Sequence, residues 1–196
     1  MEEGKIIQLK IKLRSTSPTI WRRILVQGHT ALFELHEIIQ IAMGWQNCHL
    51  FLFQIKGQIY DEHGDFDIWM GDEEDVKQEG SLEAFSPLDF SLEELITETK
   101  QKFIYIYDFG DNWYHEILVE KFLPIDPDLN YPVCIGGKMQ CPPEDCGGLY
   151  GFYEMLYILE GKEGREKAAL LKWLNKPYDP KYFDIEKVNE HLQALG

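Results

Sequence analysis

A chain of 196 residues with 44% hydrophobic and 13% aromatic side chains can build one sizeable core, which excludes global disorder. Its 34 acidic and 19 basic residues leave a net charge of −15, which argues against general binding to a phosphate backbone. No apolar run reaches the roughly 20 residues of a membrane span, and Met1-Glu2-Glu3-Gly4 has no signal-peptide character. The expected setting is the cytoplasm, with no membrane contact. There, four cysteines serve as thiols or metal ligands rather than as disulfides.

Ile7, Leu9, Ile11 and Leu13 alternate with Gln8, Lys10, Lys12 and Arg14, the period-two pattern of a half-buried strand. Ser15 to Pro18 turns the chain, and Ile20 to Val26 reads as its hairpin partner. Thr30 is placed to cap a helix that ends at Gly44, with Leu32, Leu35, Ile39, Ala42 and Met43 near one face. A third strand is expected over His49 to Ile55. Residues 61–94 then carry 13 acidic side chains against the single Lys77, which reads as a solvated insertion because like charges repel.

Ser91-Leu92-Glu93-Glu94 has the form of a capping box before a short helix. Phe103 to Tyr107 and Trp113 to Phe122 read as a second hairpin, turned by Asp108-Phe109-Gly110-Asp111-Asn112. The Pro-, Cys- and Gly-rich stretch 123–150 reads as irregular backbone. Three helices are expected to finish the chain, on the stripes Phe152/Met155/Leu156/Leu159, Leu170/Trp173/Leu174 and Ile185/Val188/Leu192/Leu195. The class is therefore α+β: a strand–strand–helix–strand, β-grasp-like core with a second hairpin and C-terminal helices. It forms a single domain over 1–196 with an acidic insertion at about 61–94.

Cys134, Cys141 and Cys146 fall within one short loop as C-x6-C-x4-C. The plain reading is thiols packing an irregular loop. The alternative is a zinc site, structural or hydrolytic, completed by Cys48, His49 or His115, although the spacing is not that of a finger or ribbon. Cys146 also precedes a helix start, where backbone amides lower a thiol pKa, so it is the candidate nucleophile. His115 shares a strand face with Trp113, Ile117 and Val119, which suits a neutral core histidine.

Trp21-Arg22-Arg23 suggests an anion-binding surface, but strand alternation sends Arg22 and Arg23 to opposite faces. Lys10, Lys12 and Arg14 share one face, which reads as a solvated stripe neutralised by the acidic insert. Asp108, Asp111 and Trp113, in and beside the second hairpin's turn, complete the candidate binding residues. No full catalytic constellation emerges.

Four blocks carry a family resemblance. They are Ser17-Pro18-Thr19-Ile20-Trp21-Arg22-Arg23-Ile24-Leu25-Val26, then Leu35 to Trp45 with His49-Leu50, then Tyr107 to His115, and finally Cys134-Ile135-Gly136-Gly137 with Cys141 to Gly148. Together they resemble the plasmid pRiA4b ORF-3-like family, also labelled passenger proteins of insertion elements. The resemblance implies a compact α+β domain, sometimes carried on mobile elements, with no firmly assigned reaction. The family's His-Leu-His is His49-Leu50-Phe51 here, and alternation places His49 with Phe51 and Phe53 in a packing role. The function expected is a non-enzymatic accessory or interaction protein with a protein partner. Nucleic acid is disfavoured by the charge, and zinc binding at the cysteine loop is the alternative.

Overall fold

The computed structural model describes residues 5–61 and 84–195. Strands β1 (Lys5–Leu13) and β2 (Trp21–Gln27) form the expected hairpin, followed by helix α1 (Leu32–Met43) and strand β3 (Phe51–Ile55). After these come β4 (Gln58–Asp61), β5 (Ala84–Phe85), the single-turn α2 (Leu92–Leu95), β6 (Lys102–Tyr107) and β7 (Trp113–Pro124). Strand β8 (Val133–Lys138) and helices α3 (Gly148–Glu160), α4 (Arg165–Leu174) and α5 (Ile185–Gln193) complete the chain. The strands make one eight-stranded sheet in the order β5-β4-β3-β6-β7-β1-β2-β8, antiparallel except for β4 with β5. That sheet is larger than a β-grasp core, so the α+β class stands and the finer description does not.

One face of the sheet holds the main core. Leu9, Ile11, Ile24, Phe53, Tyr105, Trp113 and Ile117 meet Leu32, Leu35, Ile39 and Ala42 of α1, all essentially without solvent contact. Full burial of each such side chain stabilises by roughly 1.5–3 kcal/mol, so this layer sets the fold. On the other face, a small cluster of Leu52, Ile59, Ile106 and Tyr114 lies near the β3 end. The basic stripe occupies the rest. Among the described residues, Lys12 and Lys102 reach Glu116 at 3.8 and 2.9 Å, and Arg23 holds Glu120 through bonds of 2.6 and 2.9 Å. Lys10 lies over the Trp21 ring. Among the described residues, the ion-pair partners of Lys12 and Arg23 are thus glutamates of β7.

Helix α1 begins one residue later than its Thr30 cap predicts. The Thr30 carbonyl accepts the Leu92 N–H, and Ala31 bridges to Ser91, so tertiary pairing takes the position a cap would hold. Glu34 then accepts the Ala31 N–H at 2.9 Å. Gly44 closes the helix at φ 90°, a left-handed conformation that favours glycine. The predicted capping box forms at α2, where Glu94 accepts from the Ser91 N–H and hydroxyl. Of the acidic stretch, residues 84–94 are part of the fold, since β5 extends the sheet and Pro87 and Phe90 accept N–H groups from α1. Residues 62–83 of that predicted insertion lie outside the described residues.

Two core histidines make the fold sensitive to acid. His36 is paired with the Tyr105 hydroxyl and with Asn47, and burial lowers it to about 4 against the opposing pull of the Asn47 bond. Burial likewise lowers His115 to about 3. The unfolded chain protonates these imidazoles near pH 6.5, the folded protein only far below. Between those limits the unfolded state binds more protons, so stability is full above pH 6.5 and falls as pH drops. Unfolding free energies from urea titrations between pH 7 and 5 are expected to fall by on the order of 1 kcal/mol per pH unit for each histidine once its unfolded form is protonated. His36→Gln should flatten that slope, and a wild-type curve flat over this window would contradict the assignment.

Candidate functional site

Phe51 pairs with Tyr107, so the segment entering β3 and the turn leaving β6 meet at one end of the sheet. The Asp108 N–H donates to the Leu50 carbonyl at 2.9 Å and continues that pairing. Asp108 sits at φ 56°, an excursion Asp tolerates better than most residues. Its Oδ1 accepts the Gly110 and Asp111 N–H groups, which fixes the carboxylate and leaves Oδ2 facing His49 at 3.6 Å.

A third segment, between β8 and α3, brings Glu144 and Asp145. Trp45 anchors it by donating its indole N–H to the Pro142 carbonyl at 3.0 Å. Glu144 Oε1 accepts from the Gln46 N–H at 2.8 Å and from the Tyr107 hydroxyl at 3.1 Å. Burial, with the Glu144 charge acting in the same direction, raises the Tyr107 hydroxyl far above its ordinary range, so it stays a donor. The remaining oxygen, Oε2, is buried without a hydrogen bond, 3.9 Å from His49 Nε2. Asp145 Oδ1 lies 3.2 Å from the same nitrogen.

One imidazole nitrogen thus faces three carboxylates from two segments, and none is aligned to hydrogen-bond it. The Asp108 and Glu144 side chains are only 8% and 10% exposed. Ligand atoms of His49, Asp108 and Asp145 lie within 4.8 Å of one another, as do those of Cys48, His49 and Glu144. The Asp108 and Asp145 carboxylates, brought this close, repel unless a proton or a cation lies between them. Carboxylate oxygens with a single imidazole suit a hard or borderline divalent ion.

A family profile described as plasmid pRiA4b ORF-3-like protein matches residues 5–187. The chain belongs to the plasmid pRiA4b ORF-3-like family. An uncharacterized protein, y4hQ, of Sinorhizobium fredii (strain NBRC 101917 / NGR234) is 30% identical over 195 residues, covering 98% of this chain and 93% of its own. The crystal structure of a protein of unknown function, MM3350 from Methanosarcina mazei Go1, superposes with a TM-score of 0.77 at 32% identity. That similarity covers 93% of this chain and 97% of the other.

Three of the four blocks through which this chain resembles the pRiA4b ORF-3-like family converge at the site: the Trp45–His49 segment, the Tyr107–Asp108 turn and the Glu144–Asp145 loop. His49 and Asp108 are brought together as candidates from different classes. Extending strand alternation back to His49 is corrected, because β3 starts only at Phe51 and the imidazole lies before the strand. Glu144 and Asp145 lie within the Cys141 to Gly148 block, but no periodic pattern sets them apart from the cysteines as ligands.

The cysteine loop gathers no metal set. Among the described residues, no cluster of ligand atoms includes Cys134, Cys141 or Cys146. Cys134 is buried on β8 with its backbone held by Asn189, and Cys141 is buried against Arg22 and Met43. Cys146 does not have the lowered pKa of an activated thiol. Burial first, then Asp111 and other nearby carboxylates, pushes it up to about 12. His115 is fully buried, with Nδ1 3.3 Å from the Tyr105 carbonyl and the Trp45 ring at its edge, so it belongs to the core.

The remaining candidates have structural partners. Trp113 is fully buried and stacks on Trp45, while Asp111 accepts the Gly147 N–H at the start of α3. Trp21 packs beneath Lys10 and Arg23 on the outer face. Arg22 and Arg23 do point to opposite faces, Arg22 inward and Arg23 to Glu120. A disulfide reagent at neutral pH is expected to label Cys48, the one exposed cysteine, rapidly. Cys134 and Cys141 should react only on unfolding and Cys146 slowly, with no change on adding chelator. Rapid labelling of three or four thiols, or release of protected ones by chelator, would contradict this arrangement.

Proposed function

We propose that this protein is a divalent-cation-binding domain, with His49, Asp108, Glu144 and Asp145 as the protein ligands and the Cys48 thiol alongside. The observation that carries this reading is the buried His49 Nε2. It has no hydrogen bond although three carboxylate oxygens lie 3.2 to 3.9 Å away. The positions are held from outside the cluster, by backbone amides on Asp108 and by Gln46 and Tyr107 on Glu144. Such supporting bonds orient ligands before the ion arrives. Oxygen donors with one imidazole favour manganese, iron(II) or magnesium over thiolate-seeking ions.

A second reading, an accessory protein acting through a protein partner, draws support from α3. Tyr150 and Tyr157 are 82% and 79% exposed, with Tyr153 beside them. Such amphipathic rings are enriched at interfaces. Under that reading, replacing Tyr150 and Tyr157 together by Ser removes a co-purifying protein from the native host and leaves cation binding intact. Retention of the same partner by the double variant would contradict it.

Calorimetric titration of the chelator-treated protein with Mn²⁺ tests the first reading. One site per chain is expected. At a hundredfold excess over Kd the ion should stabilise by about 2.7 kcal/mol and raise Tm by roughly 5–10 °C. His49→Ala should abolish the shift. Asp145→Asn, at a side chain 72% exposed and therefore harmless to the core, should weaken binding at least tenfold. No saturable heat, or equal binding by both variants, would overturn the assignment.

A further inference from the structure

Among the described residues, Arg22 is the one lysine or arginine withdrawn from solvent, at 2% exposure. Its Nε donates to the Ala42 carbonyl at 2.7 Å, and Nη1 donates to the carbonyls of Trp21 and Lys138 at 2.8 and 3.0 Å. Nη2 donates to Cys141 Sγ at 3.3 Å, and the Phe183 ring lies 4.3 Å from the guanidinium carbon. Gly137, the cross-strand neighbour of Arg22, makes room for that ring, since a Cβ there would stand 2.5 Å from it.

These contacts occupy four of the five guanidinium N–H groups. Every acceptor is neutral, because burial raises the Cys141 thiol and keeps it protonated. Among the described residues no carboxylate forms an ion pair with Arg22. The contrast with Arg23, forked onto Glu120, is direct. Carbonyls satisfy N–H groups but do not neutralise charge, and an uncompensated buried ion costs several kcal/mol. Buried charges are ordinarily paired.

Arg22 lines a cavity of about 520 Å³ between the end of α1, the 139–145 segment and the C-terminal helices. That volume lies within the range of small-molecule sites. Aromatic side chains of Trp173, Tyr178, Tyr182 and Phe183 contribute to the wall, and Trp173 and Tyr182 are each 49% exposed. Lys176 and Lys187 also line it and make no ion pair among the described residues. The carboxylates in the lining are committed elsewhere. Asp184 accepts from the Lys187 N–H and the Tyr182 hydroxyl, while Glu144 and Asp145 face His49.

We propose that this cavity binds a small organic anion with a flat, apolar body. The anionic group, a carboxylate or a phosphate ester, supplies the charge Arg22 lacks, and the body lies against the aromatic wall. The cation reading is not required for this, although Glu144 and Asp145 border both sites.

Calorimetric titration with phenyl phosphate, benzoate and phenol, each in chelator, tests the proposal. At least one anion is expected to saturate a single site per chain and to bind tenfold or more tightly than phenol, and the preferred anion separates phosphate from carboxylate recognition. Arg22→Met and Trp173→Ala should each weaken that binding at least tenfold. Trp173 is half exposed, so its variant keeps the test valid should Arg22→Met fail to fold. Anion binding no tighter than phenol, or insensitive to Trp173→Ala, would overturn the proposal. So would anion binding that appears only on adding Mn²⁺, which would move the anion from Arg22 to the cation.

Discussion

The Tyr107 hydroxyl joins the segments from which the site is made. It accepts the Cys48 N–H at 3.0 Å and donates to Glu144 Oε1 at 3.1 Å. The ring that carries it is fully buried at the end of β6 and stacked on Trp45, with centroids 5.1 Å apart. Trp45 in turn stacks on Trp113 and holds the Pro142 carbonyl. One aromatic column therefore ties the end of α1, the entry to β3 and the 139–147 segment to the sheet. The loops of the site are placed by the core, and precision of this kind is what ligand positioning requires.

Charged side chains are treated in two ways. Where a charge serves the fold alone it is paired in place, as Arg23 with Glu120, whose carboxyl is held low chiefly by the Arg23 bond. Where charges gather at the 139–145 segment they are left incomplete: His49 with three carboxylates on one side, Arg22 with only neutral acceptors on the other. Removing polar groups from water without partners costs enough that a small domain carries few of them. Two such deficits of opposite sign, bordering one cavity, fit a protein that completes its electrostatics with a cation and an anion.

Elements built on strict periodicity were legible. The alternation of Ile7 to Leu13, the 3.6-residue stripes of α1 and α3, and the left-handed Gly44 each translate directly into backbone. Strands β4 and β5 were missed because four and two residues are too few for a period. Strand β8 was missed because Gly136-Gly137 breaks the pattern begun by Val133 and Ile135, and it is its pairing to β2 that makes it a strand. The Thr30 cap failed by one residue because pairing to residues 91–92 outweighed local capping.

The site was legible only in pieces. His49 and Asp108 were singled out, but their meeting depends on the pairing of Phe51 with Tyr107 across more than fifty residues of chain. Glu144 and Asp145 are two acids among 34, beside cysteines whose rarity draws attention. Of the cysteines in that loop, Cys141 packs against Arg22 and Met43 of α1, while Cys146 lies by the start of α3. Its ligand-bearing residues are the plain carboxylates between Cys141 and Cys146.

Anomalous diffraction from a crystal of the chelator-treated protein soaked in Mn²⁺ examines the central claim directly. A single strong peak is expected between His49 Nε2 and the carboxylates of Asp108, Glu144 and Asp145, and it should vanish in His49→Ala. Absence of a peak there, with the His49 ring turned to hydrogen-bond a carboxylate as an imidazolium, would make the cluster a plain ion pair and contradict the cation site.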